Sequence, residues 1–206
     1  MNRIGRVILA SASPRRKELL EQIGIAYETM PSGADENTEK QQPEDVVLEL
    51  SLRKASDIHV RLEEKGEDGY TVIGADTVVS FQGEVMGKPK DEEDARRMLG
   101  MLQGNTHQVY TGVALCIKKR GKPVRFRTFY EKTDVSMYPM SEEEIRDYVA
   151  TGEPMDKAGA YAVQGGCAAY IQGICGDYNN VVGLPVGRLW QELKIEDNGN
   201  IPGMEG

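Results

Sequence analysis

Residues 8–24 read ILASASPRRKELLEQIG, and within this segment a short apolar run gives way to a helical pattern. Val7–Ala10 is predicted to form a short buried strand. Ser13 is placed to cap the following helix, Pro14 occupies its first turn, and Gly24 is placed to end it. The segment therefore predicts a strand that leads directly into a helix.

The first turn of this helix carries two adjacent arginines, Arg15 and Arg16. The helix macrodipole is positive at this end, so cations there cost stability and anions are favoured. Arginines beside free backbone N–H groups form a strong anion site, and phosphate is the usual occupant. The alternative is a solvated helix start with ordinary surface arginines, and the segment alone does not decide between the two.

The rest of the chain alternates strands and helices, which predicts an α/β protein with a mixed β-sheet flanked by helices. Glycines are dense between residues 152 and 187, where short strands are expected. Residues 1–195 are expected to form a single domain, with one core or two small lobes around a cleft, before a disordered tail at 196–206. The other predicted strands lie near 26–30, 70–81, 84–86, 107–118 and 124–137, and the other helices near 43–65, 91–102, 141–150 and 186–193.

Composition limits the classes of function that the chain can have. Its 206 residues carry a formal net charge of −8, which argues against a general nucleic-acid binder because nonspecific affinity needs a basic face. No apolar run approaches a membrane span, and the run near the N-terminus is too short for an export signal. The cysteines form no CxxC pair and are typical of reduced thiols. We therefore expect a cytoplasmic protein that binds neither nucleic acid nor membranes.

Two charged residues stand out beside apolar strands. Asp76 lies in VIGADTVV, residues 72–79, and a carboxylate there is costly unless it is paired, hydrated or bound to a metal. A site residue and a turn-forming aspartate are both possible interpretations. GEVMGKPK, residues 83–90, is not a P-loop, because its glycines enclose too few residues and a proline follows the lysine. Lys88 can still reach a phosphate as a point charge.

Other candidate residues are ordinary when each is considered singly. Glu36 lies in a polar segment and Lys54 on a helix beside its apolar face, which is typical of a solvated acid and a snorkelling lysine. DKAGAYAVQG, residues 156–165, is rich in small residues and indicates close approach of the backbone to a strand or a ligand. His59 is expected on a helix surface and His107 in a structural role, because neither has a partner serine.

Segments spread along the chain match one family in order and spelling. They are SASPRR (11–16), GADTVV (74–79), GKP (87–89), THQVYTGVAL (106–115), DKAGAYAVQG (156–165) and NVVGLP (180–185). On these motifs the chain resembles the Maf family over nearly its whole length. The resemblance implies an elongated α/β fold related to the inosine triphosphate pyrophosphatases.

The resemblance also implies an activity. Maf proteins act as nucleoside triphosphate pyrophosphatases, so the expected reaction converts a nucleoside triphosphate and water into the monophosphate and pyrophosphate by attack at the α-phosphorus. It implies a divalent cation, Mg²⁺ or Mn²⁺, held by Glu36 and Asp76, with Asp76 also the proton acceptor. The residues implied to bind phosphate are Ser11, Arg15, Arg16, Lys54 and Lys88.

Substrate choice is implied by three positions. Arg15, Thr77 and Gln164 resemble the branch of the family that hydrolyses dTTP and UTP, rather than the branch that acts on 7-methyl-GTP. Thr77 and Gln164 would face the base, since an amide can pair with both the carbonyl and the N–H edge of a pyrimidine. The resemblance leaves open whether ordinary or modified pyrimidine nucleotides are the physiological substrates.

Two other functions stay open at this point. The family has been connected to arrest of septum formation, which would make the chain a nucleotide-binding regulator without relevant turnover. House-cleaning of ITP and XTP is the second alternative, although the N-terminal phosphate loop of those enzymes is absent from this sequence. The resemblance further implies a homodimer.

Overall fold

The computed structural model describes residues 5–198, and it contains a seven-stranded mixed sheet packed against helices. This confirms the predicted α/β class. The strands are β1 (Arg6–Leu9), β2 (Glu28–Thr29), β3 (Tyr70–Phe81), β4 (Glu84–Met86), β5 (Thr106–Lys118), β6 (Arg125–Met137) and β7 (Ile171–Cys175). The α-helices are α1 (Pro14–Gln22), α2 (Pro43–Glu63), α3 (Glu92–Leu102), α4 (Glu142–Ala150), α5 (Tyr178–Val182) and α6 (Val186–Asn198).

The sheet forks along one edge of β3. The strand order is β2-β1-β3-β5-β6-β7, with β4 also paired to β3. β5 pairs with β3 over residues 70–80, whereas β1 reaches only residues 70–73 and β4 only residues 79–81. Because a strand has two edges, β1 and β4 share the edge opposite β5 and leave residues 74–78 between them. We call these residues, GADTV, the fork.

Helix α2 lies against the fork at a distance that requires glycine. A Cβ atom on Gly74 of β3 would overlap the carbonyl oxygen of Ser51, and one on Gly112 of β5 would overlap that of Val47. This close packing sets Lys54 of α2 above Asp76. Asp76 lies inside the continuous strand β3 and not in a turn, so the turn-forming interpretation of this residue was wrong.

The glycine-rich stretch from 152 to 187 differs from the prediction of short strands. It contains 3₁₀ turns at Glu153–Asp156, Ala158–Ala160 and Gly166–Tyr170, the single strand β7, and the short helix α5. Gly159 and Ala160 have positive φ angles of 68° and 58°, a conformation that cannot continue a strand. Most glycines in this stretch therefore serve turns or close approaches, whereas Gly173 and Gly187 do neither.

Helix α1 begins at the predicted residue, but the hydrogen bond predicted to cap it is not formed. Ser13 is the N-cap residue and Pro14 follows it, but the Ser13 side chain makes no capping bond. The neighbouring serine takes part instead, because Ser11 Oγ accepts a hydrogen bond of 3.2 Å from the backbone N–H of Ser13.

The last helix is longer than predicted. It continues to Asn198, because Glu192 and Glu196 are buried on α6 and form ion pairs with Arg127 of β6. The first residues of the predicted tail are thus helical, and residues 199–206 lie outside the described part of the chain. Between residues 5 and 198, no helix combines the length and apolarity needed to cross a membrane.

Candidate functional site

A cleft of about 740 Å³ opens at the fork. Its lining comes from the start of α1, from α2 and the segment before it, from β3 and β5, from β4 and the residues after it, and from the glycine-rich stretch. All the residues predicted for the site line it: Ser11, Arg15, Arg16, Glu36, Lys54, Asp76, Thr77, Lys88 and Gln164. The structure therefore brings them together, while the role given to each stays a prediction.

Lys54 connects two acidic residues in this cleft. Its Nζ lies 2.6 Å from Asp76 Oδ1 and 2.7 Å from Glu36 Oε1. The side chains of Lys54 and Asp76 are only 13% and 12% exposed. The three residues come from α2, β3 and the segment before α2, so one ammonium group joins three parts of the chain.

The charges around Glu36 favour its ionised form. The hydrogen bond from Lys54 holds the pKa of Glu36 below its ordinary value, and the charges of Lys54, Lys88 and Arg16 act in the same direction. Burial opposes them but does not prevail. Glu36 therefore carries a negative charge at neutral pH.

Arg16 is held by acceptors from three separate parts of the chain. Its Nε donates to the Gly183 carbonyl oxygen at 2.8 Å, its Nη1 to Ser11 Oγ at 3.2 Å, and its Nη2 to Thr77 Oγ1 at 3.2 Å. Burial lowers the pKa of Arg16, but a guanidinium remains charged in proteins. Within residues 5–198, each terminal nitrogen uses only one of its two N–H groups, so an anion in the cleft can be bound by two donors of a fixed side chain.

Thr77 belongs to a chain of hydrogen bonds with a fixed direction. Thr111 donates its single hydroxyl hydrogen to the Asn180 carbonyl oxygen at 2.9 Å. The 2.9 Å contact between the Thr77 and Thr111 hydroxyls must then use the hydrogen of Thr77, whose oxygen accepts from Arg16. Thr77 therefore offers a ligand only the capacity to accept a hydrogen bond.

The sequence profile of the Maf family, described as Maf-like protein, matches residues 6–196. The chain belongs to the Maf family. A protein of Agathobacter rectalis named dTTP/UTP pyrophosphatase is 53% identical, and the alignment covers 93% of this chain and 97% of that protein. A protein of the same name from Lachnoclostridium phytofermentans is 48% identical, with 92% and 94% covered. Among solved structures, the Staphylococcus aureus Ham1 protein is similar with a TM-score of 0.45 and 13% identity over 93% of this chain and 99% of that one.

Other residues of this Maf protein line the cleft without having been assigned from sequence. Asp156 and Lys157 form an ion pair there, and Tyr161 is a further lining residue. Burial acts to raise the pKa of Asp156, but the hydrogen bond from Lys157 and the charges of Lys157 and Arg15 hold it below its ordinary value. The motif DKAGAYAVQG contains all three residues and was the signal available for them.

Thr111 and Asn180 lie in the motifs THQVYTGVAL and NVVGLP, but neither motif indicated what these two residues do. Their contact joins residues 69 positions apart in the sequence, and no local pattern predicts it. Buried Asn180 also donates from its side-chain amide to the Val109 carbonyl and to Thr133 Oγ1, at 3.0 and 2.9 Å. Only the assembled fold reveals these residues as support for the cleft.

The two histidines of this Maf protein are both buried. His59 was expected on a helix surface, and this was wrong: it is 6% exposed, with Nδ1 2.9 Å from the Tyr70 hydroxyl. The structural interpretation of His107 agrees with its position, fully buried with Nε2 2.8 Å from the Tyr161 hydroxyl. Burial lowers the pKa of His107 to about 4.

The donor set fits a divalent cation that is held partly by a substrate. Lys54 contacts one carboxylate oxygen each of Glu36 and Asp76, Oε1 and Oδ1, which leaves the second oxygen of each for a cation. Mg²⁺ is commonly bound by one or two carboxylates together with substrate phosphates and water. Over residues 5–198, no group of three or more His, Cys, Asp or Glu forms a metal cage of its own, so a nucleotide would have to complete the coordination.

Proposed function

We propose that the protein hydrolyses dTTP and UTP, together with modified pyrimidine nucleotides, to the nucleoside monophosphate and pyrophosphate. Relatives at 53% and 48% identity carry the name dTTP/UTP pyrophosphatase, which supports this substrate class. The observation that carries the proposal is the arrangement of Lys54 between Asp76 and Glu36, in a cleft that also contains two arginines at a helix start. The oxygen of water bonds to the α-phosphorus, and the bond from that phosphorus to the bridging oxygen of pyrophosphate breaks.

The triphosphate is bound by the cations of the cleft. Arg16 presents its two remaining N–H donors, and Arg15 and Lys88 add positive charge from α1 and from the segment after β4. The backbone N–H groups at the start of α1 favour an anion at the same place. Neutralising the β- and γ-phosphates makes pyrophosphate a better leaving group.

Asp76 accepts the proton of the attacking water, and Lys54 fixes the orientation of its carboxylate. Glu36 and Asp76 would hold Mg²⁺ or Mn²⁺ with oxygens of the triphosphate. When bound, such an ion neutralises phosphate charge and orients the phosphates. Glu36 comes from a loop and Asp76 from β3, so the pair can adjust its spacing more easily than two residues on one strand.

The base is selected by Gln164, Thr77 and Arg15. The Gln164 amide offers a donor and an acceptor, which match the carbonyl and the N3–H group of uracil and thymine. Thr77 offers only an acceptor, so it is the alternative partner for this single N3–H hydrogen. Deaminated purines have a larger ring system, so we rank ITP and XTP below the pyrimidine nucleotides.

The test is a panel of nucleoside triphosphates with purified protein, in which pyrophosphate and orthophosphate are measured separately, with and without Mg²⁺ or Mn²⁺. We expect metal-dependent release of pyrophosphate from dTTP and UTP, and a loss of about 10²- to 10⁴-fold in Asp76→Asn. Asp147→Asn, on the exposed face of α4, is the control and should retain wild-type turnover. Nucleotide binding without turnover would reject the enzyme and favour a regulator, and a preference for ITP would reject the pyrimidine assignment.

We further propose that the protein is a cytoplasmic homodimer. Free Cys116, Cys167 and Cys175 are compatible with a reducing compartment, and Phe126 and Tyr130 on β6 offer exposed apolar surface for a second copy. Light scattering coupled to gel filtration should give twice the chain mass of 22.8 kDa. A mass of one chain across the micromolar range would contradict the dimer.

A further inference from the structure

Gln164 is presented to the cleft by a short segment, residues 161–166, in which no strand or α-helix forms. The Gln164 side chain is exposed, so the position of its amide depends on the backbone that carries it. Whatever fixes this backbone therefore fixes the group that we expect to contact the base.

Tyr148 of α4 and Glu153 of the adjoining 3₁₀ turn hold this backbone on both sides of Gln164. The Tyr148 hydroxyl donates to Glu153 Oε1 at 2.8 Å and accepts from the backbone N–H of Ala162 at 3.1 Å. The second carboxylate oxygen of Glu153 accepts from the N–H of Gly166 at 3.1 Å. The two amides thus held lie two residues before and two residues after Gln164.

The surroundings keep these bonds in one arrangement. Burial raises the pKa of Tyr148, and its hydrogen bond to Glu153 acts in the same direction, so the phenol stays protonated. Its one hydrogen goes to Glu153, which leaves its oxygen free to accept from Ala162. A Cβ atom on Gly165 would overlap the Glu153 carboxylate, so only glycine permits this approach.

We propose that Tyr148 and Glu153 are positioning residues for base selection, which hold the Gln164 amide where it discriminates uracil and thymine from other bases. Neither side chain belongs to the cleft lining in the described part of the chain. Both therefore act through Gln164 and not by touching substrate. The inference rests on the proposed function, because it deepens the role given there to Gln164.

The experiment compares Tyr148→Phe, which removes both hydroxyl bonds, with Glu153→Gln, which removes one acceptor. For each variant we would measure kcat/KM for UTP and CTP, the dissociation constants of UMP and CMP, and inhibition by inorganic pyrophosphate. The preference for the uracil nucleotides should fall about tenfold in Tyr148→Phe and less in Glu153→Gln. Pyrophosphate inhibition should stay unchanged, since the phosphate-binding residues are untouched.

Tyr170→Phe is the matched control. The Tyr170 hydroxyl also bonds a carboxylate, Glu144 Oε1 at 3.1 Å, but it does not hold the amides beside Gln164. This variant loses a hydrogen bond between a tyrosine and a glutamate, and the glutamate lies on α4 like Tyr148. It should keep the wild-type preference for uracil nucleotides. Thermal unfolding of every variant separates a loss of fold from a loss of selection.

A double mutant separates positioning from a general structural role. In a Gln164→Ala background the preference is already reduced, and adding Tyr148→Phe should lower it no further. An equal loss of kcat/KM for UTP and CTP in Tyr148→Phe, or a full additional loss in the double mutant, would overturn the inference.

Absence of UTP turnover in the wild type would reject the proposed function, and the UMP-to-CMP binding ratios would then decide the inference alone. Equal binding of UMP and CMP by wild type would overturn it as well.

Discussion

Lys54 is the residue on which the charge balance of the cleft depends. Its ammonium group lies within 2.7 Å of two carboxylate oxygens that come from different parts of the chain. A surface lysine contributes little through such pairs, but this one is 13% exposed and its partner Asp76 is 12% exposed. Removing one member of a buried pair leaves the other charge uncompensated, which is the costly change.

Lys54→Met should therefore impair the site more than the fold. We expect kcat for UTP to fall about 10²- to 10³-fold, the size typical of losing one preorganised charged donor. The pKa of Glu36 should rise, because the hydrogen bond that lowers it is gone. Steady-state kinetics and carboxylate titration by NMR measure the two effects. Arg146→Met, which removes an exposed cation of α4 and its ion pairs with Glu143 and Asp147, is the control, and equal losses in both variants would contradict the prediction.

At the scale of elements, the site depends on how closely α2 approaches β3 and β5. Gly74 and Gly112 allow the helix backbone to contact the strands directly. The contact positions Lys54 over the fork and brings Val46, Val47 and Leu50 onto the sheet. A side chain at either glycine would push the helix outward along its length.

Gly74→Ala should destabilise the protein by about 3 kcal/mol, because the added methyl group meets backbone atoms that cannot move aside. Urea unfolding measures the loss. Gly173→Ala on β7 is the strand-matched control, since a Cβ atom there meets nothing within 4 Å. Similar stability of the two alanine variants would show that α2 can shift without cost.

The hydrogen-bond chain from Asn180 to Arg16 also joins elements, namely α5, β5, β3 and α1. Thr111→Val removes the link between Thr77 and Asn180 and should cost about 1–3 kcal/mol of stability. It should also raise KM for UTP, because Arg16 loses the orientation of one acceptor. Thr111→Ser keeps the hydroxyl and should restore KM. An unchanged KM in the valine variant would show that the orientation of Arg16 does not depend on these hydrogen bonds.

Regular elements could be predicted where their signals are local. The Ser141–Glu144 capping box forms as expected, and so does the capping of α3 by Asp91. The segment at 152–166 could not be predicted, because its path is fixed by Tyr148, by Glu153 and by the contact of Gly159 with Val79. Residue types and motifs identified the members of the cleft. They did not show that Glu36 and Asp76 share one ammonium group, or in which direction the hydroxyls of Thr77 and Thr111 donate their hydrogens. Those properties depend on distances that exist only after folding.

At the scale of the whole molecule, His107 couples stability to pH. Burial lowers its pKa to about 4 from an ordinary 6.5, so the unfolded chain takes up a proton at a higher pH than the folded one. The contribution of neutral His107 to the free energy of unfolding is therefore constant above about pH 6.5, and it is lost as the pH falls towards 4. Between pH 7.5 and 5 this loss amounts to about 2 kcal/mol.

His107→Gln should remove this part of the pH dependence. The free energy of unfolding of the wild type should fall by about 2 kcal/mol more than that of the variant between pH 7.5 and pH 5. Urea unfolding of both proteins at both pH values gives the four free energies of unfolding that this comparison needs. Parallel curves for the two proteins would mean that His107 is protonated equally in the folded and unfolded states.

The three acceptors of Arg16 have a consequence for the newly made chain. Its Nε donates a hydrogen bond to the carbonyl oxygen of Gly183, 167 residues further along the chain. Its Nη2 donates to Thr77, 61 residues further along. A ribosome-bound chain that has not yet extended past Gly183 cannot fix this arginine. We expect stalled nascent chains that expose residues 1–170 to hydrolyse no nucleotide, and activity to arise only once α5 and α6 have left the exit tunnel. The part of the chain that binds phosphate is therefore made early but becomes competent only after residues near Gly183 have joined the fold.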